Sequence, residues 1–579
     1  MPVRQLINVL TVRGGKDSDG NKLPLKHTGL YIVEKIDGEK RMRFIADPTI
    51  TFRVTKQNKV DQYLDPPPLF VPIEDTFPVT CKYWEYMREI AKYLGEMDFY
   101  EACLQEKHFG KLKQLHLDPI LHGSDVDISD HTISRYLSKY KSEVDLTASL
   151  TKGFWDIEVD SSNIPGFPIA EEAPSPINLI GYYDQQENIL YQFVLRNPKN
   201  TLIGIFEDTQ IEKYTKTIQK KFKNECPNLE IEIEFFDKEL DLIKAFFKLL
   251  NERCKPDILH AWNLSFDGQT VINRIKILGG IPALIMCPKE VDYKQVYYYT
   301  DTRAKDISEK KDQLQITSDV IFLDQMIQYA VIRKSMQKKD SYMLDAVLTE
   351  ELSMSKDEVV DDMKKFPYSN FLKFMEYNAM DVIGCYLIEK KIGDTDLIYQ
   401  LSLMTETRMN KAMTKTICLR NMADRFFRDQ GYVLSNNRNQ DYGSDEWKSK
   451  EDEDKDDAKK KFRGAFVANP KLLAHTGIPV LGIKSNKIFE KTCDLDLASL
   501  YPSIIQGFNI DSFTQIGKAF LVEQFEDVYV YNNKSQLKLE NKLNDEIPKI
   551  IDSIQAKDFI ATGKKYFNLP DLQELLEVV

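Results

Sequence analysis

The sequence predicts an α/β, multidomain chain, and three observations carry that expectation. Its 579 residues exceed what one hydrophobic core usually covers, so three or four domains are expected. From Lys152 to about Ile392, short apolar runs alternate with stretches whose apolar residues recur every three or four positions, the pattern of strands followed by helices. A hydrophobic content of 42% and a charged content of 29% suit a soluble globular protein.

The elements follow in order. Residues 1–150 alternate β-prone runs, such as Gly29-Leu30-Tyr31-Ile32-Val33, with turns, and residues 84–104 have helical spacing. An α+β amino-terminal domain is therefore expected over 1–150. Residues 153–159 read as a buried strand with antiparallel neighbours at 177–183 and 189–195. An amphipathic helix is expected over 239–254 and a buried strand over 257–262, making 151–393 one α/β unit. Residues 394–435 read as a helical segment returning to the first domain. Residues 436–461 are polar and include the acidic run 445–457, expected to form a mobile surface linker.

Several classes are disfavoured. The chain opens Met1-Pro2-Val3-Arg4-Gln5, unlike a signal peptide, and lacks the long apolar run of a membrane span. Eight scattered cysteines without a C-x-x-C pair disfavour a zinc ribbon or iron–sulfur cluster and suit a reducing interior. The net charge of −12 does not decide against nucleic acid, because a whole-chain sum hides a local basic groove and metal-binding acids.

Three carboxylate elements lie in the α/β unit. Phe154-Trp155-Asp156-Ile157-Glu158-Val159 sets two acids two apart on an apolar strand, so both project from one face. Like charges there are costly without a cation between them; a solvated edge strand is the plainer alternative. Asn263-Leu264-Ser265-Phe266-Asp267 opens a helix, where Asp267 could equally serve as an N-cap. Tyr377 and Asp381 share one helix face at i, i+4, a common spacing that alone says little.

In this order, D-x-E, N-x-x-F-D and Y-x-x-x-D resemble the proofreading 3′→5′ exonuclease of family B DNA polymerases, an RNase-H-like fold. The Asn263-to-Asp267 spacing is one residue shorter than in many members. The resemblance implies that Asp156, Glu158, Asp267 and Asp381 hold two Mg²⁺ or Mn²⁺ ions, hard cations that prefer oxygen. It further implies that Tyr377 orients the attacking water and that Asn263 and Phe266 touch DNA. The overall run, including Ser341-Tyr342-Met343-Leu344-Asp345 before the third exonuclease element, most resembles the tailed-phage replicative branch.

Asp494-Leu495-Asp496-Leu497-Ala498-Ser499-Leu500-Tyr501-Pro502-Ser503 resembles the first palm motif of the same family. By that resemblance Asp496 is a catalytic metal ligand, Leu497 supplies a carbonyl, and Ser499, Leu500 and Tyr501 line the incoming dNTP. A Tyr-Pro turn after an acidic strand explains the single residues but not the whole string. Gly464 and Ala465 fall where family members touch template DNA. Residues 462–545 are then expected to begin the palm and 546–579 the fingers. The later family motifs, K-x-x-x-N-S-x-Y-G and D-T-D-S, do not follow Tyr501. Gly393-Asp394-Thr395-Asp396 mimics the second but precedes the first palm motif, so its order argues coincidence.

The expected function is the amino-terminal portion or subunit of a DNA-directed DNA polymerase acting on primer-template and single-stranded DNA. It would need a second polypeptide for synthesis, and a sliding clamp is a possible partner. The expected location is the cytoplasm of an infected bacterial cell. A stand-alone 3′→5′ DNA exonuclease with a vestigial palm is the alternative. A non-catalytic clamp- or primase-binding protein fits poorly with five intact acids.

Overall fold

The computed structural model describes residues 2–13, 27–63, 70–196, 208–302, 304, 306–334, 339, 341–354 and 364–436, and the backbone of two later strands. The chain divides into two compact units, Met1–Asp456 and Asp457–Val579. In the second, Lys518–Glu523 pairs antiparallel with Gln536–Glu540. The acidic run 445–457, Gly464, Ala465, Asp496, Leu497, Ser499, Leu500 and Tyr501 all lie outside the described residues.

The first unit centres on a six-stranded sheet. Its strands are β1 (Lys152–Val159), β2 (Ile177–Asp184), β3 (Ile189–Leu195), β4 (Glu230–Phe236), β5 (Ile258–Ala261) and β6 (Ile321–Asp324), in the order β4-β3-β2-β1-β5-β6. The pairs β1–β2 and β2–β3 are antiparallel, whereas β3–β4, β1–β5 and β5–β6 are parallel. The helices that position the site are α1 (Glu239–Lys248), α2 (Leu264–Ile277), α3 (Gln325–Arg333), α4 (Phe371–Ile392) and α5 (Asp394–Met404).

Strand alternation sorts the side chains of β1. Phe154 joins the core between the sheet and α4, with Ala379, Val382 and Ile383. Trp155 and Ile157 join the opposite core under α1 and α2, with Phe246, Val271 and Ile275. Both faces of this strand are therefore covered, and each large apolar side chain so buried contributes about 1.5–3 kcal/mol. Asp156 and Glu158 share the α4 side with Phe154, by the period of two.

The expected helix over 239–254 is α-helical only to Lys248; Leu249–Cys254 continues as a π-helical turn. The helical stretch near 84–104 divides into Tyr86–Leu94 and Met97–Gln105. Gly95 takes a left-handed φ of +75° between them, ending the first helix with backbone bonds to Ala91 and Lys92.

The first 150 residues share a core with the sheet. Leu6, Val9, Leu30 and Ile32 pack with Ile258, Ile321, Leu323 and Tyr399. The buried Asp257 carboxylate receives Lys35 at 2.5 Å and Lys40 at 3.3 Å. Tyr399 of α5 donates its hydroxyl to the Leu6 carbonyl at 2.7 Å. Further on, Tyr432–Leu434 pairs antiparallel with Phe70–Pro72.

The D-T-D mimic has a packing role. Asp394 pairs with Arg333 at 2.6 Å and Asp396 with Lys152 at 2.8 Å, while Thr395 accepts from Gln328 at 3.0 Å. These bonds hold the first turn of α5 against the sheet and α3.

Candidate active site

The sheet and α4 bring three acids together. The nearest carboxylate oxygens of Asp156, Glu158 and Asp381 all lie within 4.8 Å of one another. It is the one such group of ligating side chains among the described residues. Asp156 and Glu158 are half-buried and Asp381 is buried, so the group opens to solvent on the β1 side. The acids come from elements far apart in sequence because α4 lies across β1, carrying Tyr377 one turn before Asp381.

Asp267 faces this trio from the first turn of α2. It is not the helix cap: Asn263 is, its side chain accepting from the Phe266 N–H at 3.3 Å. Asp267 is buried, and among the described residues its Oδ2 has no hydrogen-bond partner. Burial first, then repulsion from Asp156, Asp324, Glu158 and Asp381, holds its carboxyl well above the usual carboxylate range. An orphaned, buried carboxylate oxygen facing three more acids is a donor set suited to a hard divalent cation.

Sequence reasoning missed three residues here. Asp324, at the carboxyl end of β6, caps α3 by accepting from the Ile327 N–H at 2.8 Å. Burial, resisted by hydrogen bonds from backbone N–H groups, pushes its carboxyl up to about 7. Asn378, inside the Y-x-x-x-D motif, donates through Nδ2 to Asp156 Oδ2 at 3.0 Å. Phe167 projects from the β1–β2 loop, 78% exposed, with its ring 5.1 Å from that of Phe266. An aromatic in Pro165-Gly166-Phe167-Pro168 just after D-x-E was the available signal for Phe167.

That loop is tied on several sides. Asn273 Nδ2 donates to the Ala170 carbonyl at 3.0 Å, and Arg274 to that of Ala173 at 3.1 Å. Arg274 is itself buried against Glu239, with Nε to Oε1 at 2.7 Å. Lys364 donates to the Ile164 carbonyl at 2.7 Å, and the Tyr368 hydroxyl to Asp160. On the far side, Trp262 Nε1 donates to the Tyr342 carbonyl at 3.1 Å, docking the S-Y-M-L-D segment beside the end of β5.

The raised Asp324 carboxyl carries a test. A group whose folded pKa lies above its unfolded value favours folding at low pH and loses that contribution as pH rises through the folded value. Here the window runs from about 4 to about 7. Asp324→Asn keeps the acceptor for Ile327 and removes the buried charge. We expect it to stabilise the metal-free protein at pH 8 by on the order of a few kcal/mol. The advantage should shrink as pH falls toward 5, as thermal melts in EDTA across that range would show.

Residues 93–347 match the family model described as DNA polymerase family B, exonuclease domain. That match takes in Asp156, Glu158 and Asp267, whereas Tyr377, Asn378 and Asp381 lie beyond it on α4. The chain is 27% identical over 391 residues to a DNA-directed DNA polymerase of Escherichia phage RB69, covering 66% of this chain and 38% of the relative. It is 24% identical over 366 residues to a DNA-directed DNA polymerase of Enterobacteria phage T4, covering 63% of this chain and 36% of the relative. The matched part thus spans little more than a third of those relatives' length. Among the described residues no helix is long and apolar enough to cross a membrane. Residues 93–347 are thus similar to the exonuclease domain of family B DNA polymerases, and about two thirds of the chain is similar to part of two phage DNA-directed DNA polymerases.

Proposed function

We propose that the first unit is a 3′→5′ DNA exonuclease that proofreads for a phage-type family B DNA polymerase, of which this chain is an amino-terminal portion or subunit. The convergence of Asp156, Glu158 and Asp381, with Asp267 facing them, carries the reading. Asp156, Glu158, Asp267 and Asp381 would hold two Mg²⁺ or Mn²⁺ ions. Bound about 3.5–4 Å apart, such ions stabilise both the attacking and the leaving oxygen of an in-line phosphodiester cleavage.

The chain's own residues supply the rest. Tyr377, one turn before Asp381, orients the attacking water through its hydroxyl. Phe167 and Phe266 offer aromatic faces at the mouth, where unpaired terminal bases stack without regard to sequence. Asn263 acts chiefly by capping α2, which fixes the turn that carries Asp267. In the later region, Asp496 would serve as the first palm carboxylate, with Leu497, Ser499, Leu500 and Tyr501 around the dNTP and Gly464 and Ala465 on template DNA. The remaining palm and fingers would come from the rest of the polymerase, on the same or a second polypeptide, a sliding clamp is proposed as a partner, and the work would proceed in the host cytoplasm.

The direct experiment is digestion of a 5′-labelled single-stranded oligonucleotide by the purified chain. We expect a ladder of products shortened from the 3′ end, dependent on Mg²⁺ or Mn²⁺ and abolished by EDTA. Internal cleavage, or digestion undiminished by chelation, would overturn the proposal.

A further inference from the structure

We propose that Asn378 is a positioning residue that fixes one oxygen of Asp156, and that Gly181 exists to let it reach there. The inference rests on the metal-site reading above and adds to it a side chain outside the carboxylate set.

Asn378 is fully buried in α4, between Tyr377 and Asp381. Asparagine is mostly an exposed residue, and leaving a buried polar group unsatisfied costs about 1–3 kcal/mol. Its Nδ2 donates to Asp156 Oδ2 at 3.0 Å. The reverse amide orientation would set an acceptor oxygen against a carboxylate, so the chemistry selects this one. Its Oδ1 is left without a conventional hydrogen-bond partner among the described residues.

The space for that oxygen comes from the neighbouring strand. Gly181 of β2 is the direct antiparallel partner of Asp156. A Cβ built on Gly181 would stand 2.0 Å from Asn378 Oδ1 and 3.0 Å from its Cγ. Any side chain at position 181 would thus drive the amide away from where it now lies. The glycine hydrogen that takes the Cβ direction points at Oδ1, a weak contact in place of a full bond. Glycine inside a strand costs stability and marks a close approach, and here the approaching group is the Asn378 amide.

A purely structural role explains this poorly. Leu179, Tyr183, Val382 and Ile383 are all buried on this face, and the nearby buried Gln192 is already satisfied by Met375 and Tyr214, so an aliphatic residue at 378 would fill the space without an orphaned oxygen. What the amide adds is a neutral donor. It holds Asp156 Oδ2 in one direction and brings no positive charge that would oppose a cation at the site. Outer hydrogen bonds of this kind typically govern metal affinity by about 10–100-fold.

The test is direct Mn²⁺ binding by the full chain, read as free Mn²⁺ by electron paramagnetic resonance. The variants are Asn378→Ala, Gly181→Ala and the two combined, with thermal melts to establish folding. Each single variant is expected to weaken Mn²⁺ binding about tenfold. The double variant should lose little more than Asn378→Ala alone, because Gly181→Ala acts through the amide. Exonuclease assays should show a raised half-saturating Mg²⁺ concentration, with the rate largely recovered at saturating metal. Folded single variants with wild-type Mn²⁺ affinity would overturn the inference, as would losses that simply multiply in the double variant. If Asn378→Ala does not fold, Asn378→Ser and Gly181→Ala decide by the same criteria. Absence of Mn²⁺ binding by the unaltered chain would instead defeat the metal-site reading, and this inference with it.

Discussion

The double variant Asp156→Ala, Glu158→Ala should lose 3′→5′ digestion of single-stranded DNA, by at least ~10³-fold. Both acids stand on the same face of β1 and within 4.8 Å of Asp381, so removing them strips two of the three closest candidate ligands. The remaining acids, Asp381 and the buried Asp267, cannot by themselves balance two divalent ions. Binding to a single-stranded oligonucleotide, measured by fluorescence anisotropy in EDTA, should stay close to that of the unaltered chain. That expectation follows because Phe167, Phe266 and the loop ties around them are untouched. Undiminished digestion by the double variant would mean the acid trio is not the active centre.

The second large effect concerns synthesis. This 579-residue chain alone is expected to incorporate no detectable dNTP on a primed template with Mg²⁺. On the proposed reading Asp496 would be one carboxylate of the pair that a two-metal nucleotidyl transfer site requires, and no D-T-D-S motif lies between Tyr501 and Val579. The stretch after Glu546, which resembles the entry to the family's fingers, offers Lys557, Lys564 and Lys565, whereas by that resemblance Ala556 and Thr562 fall about where phosphate-binding cations would stand. Adding a polypeptide that carries K-x-x-x-N-S-x-Y-G and D-T-D should restore primer extension by completing one palm sheet across two chains. Extension assays with each chain and with the mixture give the answer. Synthesis by this chain alone would show that its second catalytic acid lies elsewhere in the sequence.

Much of the candidate site was legible without coordinates because its parts are local patterns. The D-x-E pair sits on a strand whose period of two sends both acids to one face, and Tyr377 and Asp381 sit on a helix whose i, i+4 spacing aligns them. Apolar flanks such as Phe154, Trp155 and Ile157 announce a covered strand for the same reason, since side-chain direction follows the backbone period. Three-dimensional packing settled matters that depend on partners distant along the chain. Asp267 looked equally like a cap until Asn263 was seen to hold that bond, leaving the acid to face the trio. Asp324 resembled any strand-ending acid, and its high pKa comes from burial, which no local pattern records. The link from Asn378 to Asp156 depends on Gly181 being that acid's strand partner, a matter of register. The first 150 residues read as a separate domain because nothing in their own periodicity reveals that Leu6 and Val9 share a core with Ile258 and Ile321. Short-range sterics and periodicity are written into neighbouring residues. Desolvation, register and shared burial arise only when segments far apart in sequence meet.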